Sequence, residues 1–500
     1  MSLDAALRIA SSGLAAVQRN IAQASQNVAN ADTEGYTRKS VTQRAVTGGD
    51  SPAGVRTSEA QRAVDAALLA RLDASRAGSA AATLRESLLT GIEEAHGDSG
   101  QTLPDGVSDL QNAFIALRDT PADAGAQRSV LAAATTLAER LNGVSQAIGT
   151  ARQQAQDGLV SEVKAANAAL RQVASLTLQI RNGAGDAAAL EDQRDAAIAS
   201  LAESLGVQAV KRGDGDVLLV AKGGVVLPLD PDHNQLATAE ATVAPGSSAL
   251  PGITLNGLDV TRQLSGGRIG EALTLRDTTL PRYQAELDVL ASGLAARLDG
   301  EGLRLFTDSD GSSVPDAAQP YTGSTQIGFA GRIQVNPAVA ADPALLRDGT
   351  HAVAGSATGA SAFTPNDADG PAGFTTLIDR VLNYSFGSEA QAGQAWPGLA
   401  TSGLGPDGTL ASPFTAPATL AAYASRLTAA QTGDRAAATA AKEQASALQS
   451  TLQSRFAQQS GVDTDAEMAS IVALQNAYAA NAKVLSTIQS LFETLLGVVR

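Results

Sequence analysis

Apolar residues recur at intervals of three or four positions near both ends of the chain. This spacing is typical of the narrow seam that one helix presents to a partner helix. The N-terminal stripe consists of Leu3, Leu7, Ala10, Leu14, Val17, Ile21, Ala24 and Val28. The C-terminal stripe consists of Ile471, Leu474, Tyr478, Ala482, Leu485, Ile488, Phe492, Leu495 and Val499. We therefore predict that residues 1–35 and 462–500 pair as a helical coil, with the rest of the chain outside it.

A polar turn follows the first stripe. Asn27 and Asn30 disfavour a helix interior, and Gly35 permits a positive φ. Tyr36 begins a stretch rich in Thr and Val that we expect to be extended as far as Val46. The sequence therefore predicts a stop to the first helix at this turn.

Helical periodicity dominates the chain from residue 59 to residue 205. It covers residues 59–95, a segment around 107–117, residues 123–181 and residues 190–205. Three glycines in 123–181 leave open whether that stretch is one helix or two. We predict a helical bundle from residues 36–206 together with 277–300 and 416–461.

Short β-branched runs separated by turn residues replace this pattern after residue 206. They predict a β-rich outer domain at 207–276, inserted into the helical protein. Residues 301–415 are rich in Gly, Pro, Ser and Asp, with a strand at 333–335 and a short helix near 374–382. We expect part of this stretch to extend the β-rich domain. The predicted fold class is thus mainly α, with paired terminal helices, an elongated helical bundle and a small outer β-rich domain.

Composition narrows the possible functions. The formal net charge of -15 argues against binding to nucleic acid or to an anionic membrane surface. The absence of cysteine excludes disulfides, thiol catalysis and thiolate metal sites. No apolar run approaches the ~18 residues that span a bilayer, and the N-terminus lacks the pattern of a cleaved secretory signal. Export would therefore require another route.

Residues with catalytic or metal-binding potential do not form a convincing site. We expect the three widely separated histidines, His96, His233 and His351, to lie at the surface or in loops. Residues 308–311 resemble the start of a calcium loop, but the sixth and twelfth positions are Ser313 and Gln319. The charged run at 190–195 is typical of a helix surface with local ion pairs. We predict no catalytic residue, cofactor or metal.

Short motifs flank both seams. The N-terminal motif comprises residues 12–14, 27–30 and 33–38, and the C-terminal motif comprises residues 460–463, 475–484 and 492–496. Together they resemble the shared signature of bacterial flagellar rod, hook and hook-associated proteins. Residues 190–195, 266–270 and 275–281 resemble the hook-associated protein 1 branch. Asp463 departs from the Asn that is usual in this family.

The resemblance implies a structural protein of the flagellum rather than an enzyme. It implies an adaptor that joins hook to filament by forming a ring of roughly eleven copies through its terminal helices. The implied partners are further copies, hook protein, hook-associated protein 3, and an export chaperone and apparatus. The implied location is extracellular, after type III export without a cleaved signal peptide. The alternative is a flagellar hook or distal rod protein, whose termini look alike.

Overall fold

Long helices form most of the protein. The computed structural model describes residues 3–33, 35–48, 51–367 and 369–498 of the chain. Its helices are α1 (Leu3–Ala29), α2 (Ala66–His96), α3 (Leu103–Asp119), α4 (Ala124–Arg181), α5 (Ala187–Leu205), α6 (Gly267–Thr274), α7 (Leu280–Gly300), α8 (Pro337–Ala341), α9 (Leu345–Asp348), α10 (Thr376–Arg380), α11 (Leu420–Ser460) and α12 (Thr464–Val498). The mainly α fold class with a small β-rich insertion is confirmed.

The strands are short and pair in antiparallel ribbons. They are β1 (Lys39–Ser40), β2 (Gln43–Gly48), β3 (Ser51–Thr57), β4 (Gln61–Arg62), β5 (Val207–Lys211), β6 (Val217–Ala221), β7 (Val226–Leu227), β8 (Leu236–Ala237), β9 (Thr254–Leu255), β10 (Leu258–Asp259), β11 (Phe306–Thr307), β12 (Gln334–Val335), β13 (Glu389–Gln391), β14 (Gln394–Ala395), β15 (Ser402–Leu404) and β16 (Leu410–Ala411). The orders β5-β6-β7 and β10-β9-β8 form three-stranded sheets, and the other strands form two-stranded pairs.

Helix α4 is continuous, which answers the question that its glycines left open. Its 58 residues begin after Asp123, whose carboxylate accepts the backbone N–H of Ala126. Val130 to Ala155 contribute to a first hydrophobic core, and Leu159 to Val173 contribute to a second. Because apolar residues keep their helical spacing along the whole length, tertiary packing overrides the weak helix propensity of glycine.

The first core lies among α2, α3, α4, α7 and α11, and residues 301–415 also pack into it. Phe306, Phe329, Ile333 and Leu377 are fully buried there. This placement differs from the prediction that part of 301–415 extends the β-rich region, because the apolar side chains of this stretch find their partners on the helices. The expected strand and short helix in this region are present as β12 and α10.

The second core lies under the β5–β6–β7 sheet and is shared with α4, α5 and α6. Residues 267–276 were assigned to the β-rich domain, but most of them form α6. A π-helical turn, Leu275–Thr279, joins α6 to α7. Ile269, Ala272 and Leu273 bury one face of α6, which explains its helical conformation.

Two further predictions are corrected. Helix α2 begins at Ala66 rather than near residue 59, because Asp65 caps it and Gln61 and Arg62 pair with β1 instead. His96 is buried rather than superficial, with Nε2 2.7 Å from Oε1 of Gln431 on α11. Burial lowers its pKa.

Candidate functional site: the terminal helix pair and the Asp192 cluster

The two ends of the chain pack against each other as α1 and α12. Nε2 of Gln18 lies 3.4 Å from the hydroxyl of Tyr478, and Gly13 faces the side chain of Asn481. Among the predicted seam residues, Val17 is buried, and the following are half-buried: Leu3, Leu7, Leu14, Ile21, Val28, Ile471, Leu474, Tyr478, Leu485, Ile488 and Phe492. Val499 lies outside the described residues, as does the side chain of Leu495. The structure therefore brings the described seam residues to one helix pair.

Further apolar side chains of α12 lie outside the seam, and the sequence analysis did not single them out. Met468, Val472, Val484 and Leu491 are each about half exposed. The sequence could have indicated this surface, because these residues lie outside the seam spacing. A helix that is apolar on more than one face is normally buried on more than one face. Helix α12 therefore has apolar surface that α1 does not cover.

The predicted turn after α1 is built around the buried side chain of Asn27. Its Oδ1 accepts a hydrogen bond from the hydroxyl of Tyr36 at 2.9 Å and one from the backbone N–H of Lys39 at 3.2 Å. Its Nδ2 donates to the carbonyl of Lys39 at 2.9 Å. Asn30 donates to a carbonyl of the last turn of α1, and Gly35 has a φ of +78°. These bonds reverse the chain and hold it against the end of α1.

The extended segment after this turn places alternate side chains on opposite sides. On one side, Thr37 Oγ1 donates to Asp192 on α5, and Lys39 Nζ lies 2.9 Å from the same carboxylate. Arg62 on β4 adds Nε at 2.8 Å from Asp192 and Nη2 at 2.6 Å from Asp195. We call these five residues the Asp192 cluster.

On the other side, Arg38 contacts the junction between α11 and α12. Its backbone N–H donates to the carbonyl of Ser460 at 2.8 Å, and its Nε lies 2.6 Å from Oε1 of Glu467. Glu467 therefore pairs with Arg38 rather than completing a capping box with Thr464. Asp463 caps α12 instead, by accepting the N–H of Ala466.

Burial sets the electrostatics of the cluster. Lys39, Arg62, Asp192 and Asp195 expose at most a tenth of their side chains. Burial acts to lower the pKa of Arg62, but the nearby carboxylates, Asp195 foremost, outweigh it and raise the pKa. Burial, together with Asp192, raises the pKa of Tyr36 to about 12. Arg62 therefore stays charged and Tyr36 stays neutral around neutral pH, which suits a structural joint.

The sequence analysis misjudged the charged run at 190–195. It predicted local ion pairs on a helix surface, but Asp192 and Asp195 are buried and pair with residues more than 100 positions away. It also missed Thr37, Lys39 and Arg62 as partners. The run of polar residues after Gly35, in a segment that was expected to be extended, could have indicated that these side chains contact another part of the chain.

The other candidate sites have structural roles. In the calcium-like segment, Asp310 accepts the backbone N–H groups of Ser312 and Ser313, and Asp308 pairs with Arg332. His233 pairs with Asp230. Within the described parts of the chain, no group of three or more His, Cys, Asp or Glu residues could hold a metal ion. The helices that the structure describes include none long and apolar enough to cross a membrane.

Known families match three parts of the chain. Residues 89–300 match the family described as the flagellar hook-associated protein FlgK helical domain. Residues 7–37 match the flagella basal body rod protein family, and residues 453–498 match the C-terminal family of the flagellar basal body rod FlgEFG proteins. These matches support a FlgK-type flagellar hook-associated protein. The resemblance drawn from the sequence is confirmed, and the flagellar relatives place the chain in the bacterial flagellum.

Curated FlgK-type relatives include flagellar hook-associated protein 1 of Escherichia coli strain K12 and of Salmonella typhimurium. Each is 25% identical over 320 residues, which are 61% of this chain and 58% of the relative. The match thus spans little more than half the length of these relatives. The solved flagellar hook junction protein FlgK from Burkholderia pseudomallei is 25% identical and covers 48% of this chain and 45% of its own, with a TM-score of 0.41.

Proposed function

We propose that this chain is the adaptor that joins the hook to the filament. The observation that carries the proposal is the FlgK helical-domain match at 89–300, flanked by rod-protein termini that pair as α1 and α12. The relatives that match are structural flagellar proteins, which favours a mechanical role over an enzymatic one. We infer that copies form a ring through these termini, with hook protein on one side and hook-associated protein 3 on the other.

The exposed apolar side chains of α12 outside the seam support ring formation. Met468, Val472, Val484 and Leu491 would be covered by the terminal helices of neighbouring copies. Side-to-side contacts that use two different surfaces close into rings when the rotation permits it. We further propose that each copy binds a chaperone and leaves the cell by type III export before it assembles.

The Asp192 cluster would transmit force between the terminal pair and the bundle. Thr37 and Lys39 face α5, while Arg38 faces the start of α12, so this short segment contacts both bodies. A junction that joins a bendable hook to a stiffer filament needs such a defined connection.

Deleting the gene in its own bacterium tests the function. We expect intact hooks without filaments by electron microscopy and flagellin lost to the medium by immunoblot, with filaments restored by the wild-type gene on a plasmid. Missing hooks would instead identify a hook or distal rod protein. Normal filaments would refute any role at the junction.

Limited proteolysis of the free protein tests how the termini assemble. The seam residues of α12 are only half-buried, whereas Leu137, Leu141 and Val144 of α4 are fully buried. We therefore expect a protease to cut within 3–29 and 464–498 before it cuts the bundle, because marginal helices open locally. Termini as resistant as α4, judged by mass spectrometry of the fragments, would contradict this expectation.

A further inference from the structure

The β5–β6–β7 sheet presents an apolar face on the side away from its core. Val210 pairs with Leu218, and Val220 pairs with Val226, so these four side chains share one face. Val210 and Val226 are 46% and 49% exposed. An antiparallel sheet that covers a core normally turns polar residues outward. Apart from Gln208, which pairs with Val220, this face is therefore apolar, and Val210 and Val226 are its most exposed side chains.

A groove of about 740 Å³ continues this face toward α2. Small residues of α2 form its floor: Ala70, Ala74, Ala77, Gly78 and Ala81. Arg71 and Lys222 stand at its rim, and neither has an acidic partner within 4 Å in the described chain. Glu271, also at the rim, is already paired with Arg85 at 2.9 Å. The groove therefore combines an apolar floor with two unpaired cations.

The segment that follows the sheet has the opposite character. Residues 228–261 contain Asp230, Asp232, Glu240 and Asp259 but no Lys or Arg, although Lys164 of α4 lies 3.8 Å from Glu240 and Arg262 follows the segment. Leu258, beside the tight turn of the β9–β10 hairpin, is 72% exposed. This segment presents an apolar side chain next to Asp259 and carries a net negative charge, which complements an apolar groove with basic residues at its rim.

We propose that the basic-rimmed groove of one copy binds the acidic 228–261 segment of the next copy. The inference rests on the proposed ring and adds a contact outside the terminal helices. Copies with a net charge of -15 repel one another, so a stable contact between them needs locally opposite charges. The two surfaces differ, as a heterologous ring contact requires.

A charge-exchange series tests the contact in the deletion strain. Arg71→Glu with Lys222→Glu reverses the groove rim, and Asp232→Lys with Glu240→Lys reverses the segment. We expect each pair alone to cause loss of most filaments, because like charges then face each other, and all four together to restore them. Filaments that survive either reversal, or four changes that do not restore them, would overturn the proposal. Circular dichroism of each purified variant checks that it folds.

Cysteine cross-linking provides an independent measurement, because the natural chain contains no cysteine. Val220→Cys, at the groove, together with Leu258→Cys should give a ladder of linked copies on mild oxidation of isolated hook–junction complexes. Each single variant should stay monomeric, since its cysteine would face a different residue of the next copy. Dimers from a single variant, or no ladder from the pair, would contradict the proposed contact. If wild-type protein restores filaments while the ladder is absent, the adaptor function stands and only this contact fails.

Discussion

At the scale of residues, Asp192 is the main link between the terminal segment and the bundle. It accepts contacts from Thr37, Lys39 and Arg62, and its side chain is almost fully buried. A buried carboxylate with several charged donors contributes little net stability, but removing it leaves the buried ammonium of Lys39 without a carboxylate and Arg62 with one fewer.

Asp192→Ala should therefore lower the free energy of unfolding by about 3–5 kcal/mol, measured by urea denaturation. Asp109→Asn on the exposed side of α3 is the control and should change it by less than about 0.5 kcal/mol. A loss no larger than that of the control would mean that Lys39 and Arg62 are solvated despite their low exposure.

Glu286 is a buried carboxyl with a different role. Burial raises its pKa from an ordinary value of 4.5 to about 7, although Arg282 lies 3.8 Å away and acts in the opposite direction. Because the pKa is higher in the folded state, this group favours folding at low pH. That contribution declines as the pH rises from about 4.5 to about 7.

Glu286→Gln removes this titration and retains the shape of the protonated side chain. We expect variant and wild type to unfold with equal free energy at low pH, and the variant to be more stable above pH 7 by about 3 kcal/mol. Denaturation across this pH range measures the difference, and Glu94→Gln, on the exposed side of α2, should leave the profile unchanged. Parallel profiles for the Glu286 variant and wild type would show that Glu286 titrates normally.

The sequence predicted the seam residues well and the Asp192 cluster poorly. Leu7 and Leu14 follow a local period, which is visible in the sequence alone. Arg62 and Asp192 are 130 positions apart, and their meeting depends on how α5 docks beside β4. Such long-range pairing produces no periodic pattern in the sequence, and the same holds for the contact between His96 and Gln431.

At the scale of elements, the glycines of the helices divide by their surroundings. A Cβ at Gly143 of α4 would meet no atom within 4 Å, whereas a Cβ at Gly270 of α6 would collide with the backbone of Ser265. The sequence therefore predicted which segments are helical more reliably than whether a helix is continuous. The apolar period of α4 is plain, but whether a glycine interrupts a helix depends on neighbours that the sequence does not reveal.

Gly143→Ala should raise the free energy of unfolding by about 0.5–1 kcal/mol, because alanine restricts the unfolded chain and suits a helix. Gly270→Ala is the matched comparison and should lower it, since Ser265 would have to move. Urea denaturation of both variants measures the two changes in the free energy of unfolding. Destabilisation by Gly143→Ala would indicate that α4 needs flexibility at that position.

At the scale of the whole molecule, the terminal pair is separate from the two cores. Within the described chain, α12 packs mainly on α1, and none of its residues belongs to either large core. The boundaries of the three predicted domains remain predictions. The terminal seams could be recognised from the sequence because they pack on each other, whereas the position of 301–415 depends on contacts with several helices.

A chain that lacks residues 464–498 should therefore keep a folded bundle and lose assembly. We expect its circular dichroism to show a cooperative thermal transition close to that of the full chain, and its gene to leave the deletion strain without filaments. The full-length gene on the same plasmid is the control. Restored filaments would show that α12 is dispensable, and loss of the cooperative transition would show that α12 supports the cores.

The continuity of α4 has a mechanical consequence. At ~1.5 Å per residue, its 58 residues form a rod of about 87 Å that passes through both cores. The cores cannot swivel about each other without breaking this rod. A sideways load applied near Ala124 would therefore act through a long lever arm on the opposite end, close to α5 and the buried charges of Asp192 and Arg62.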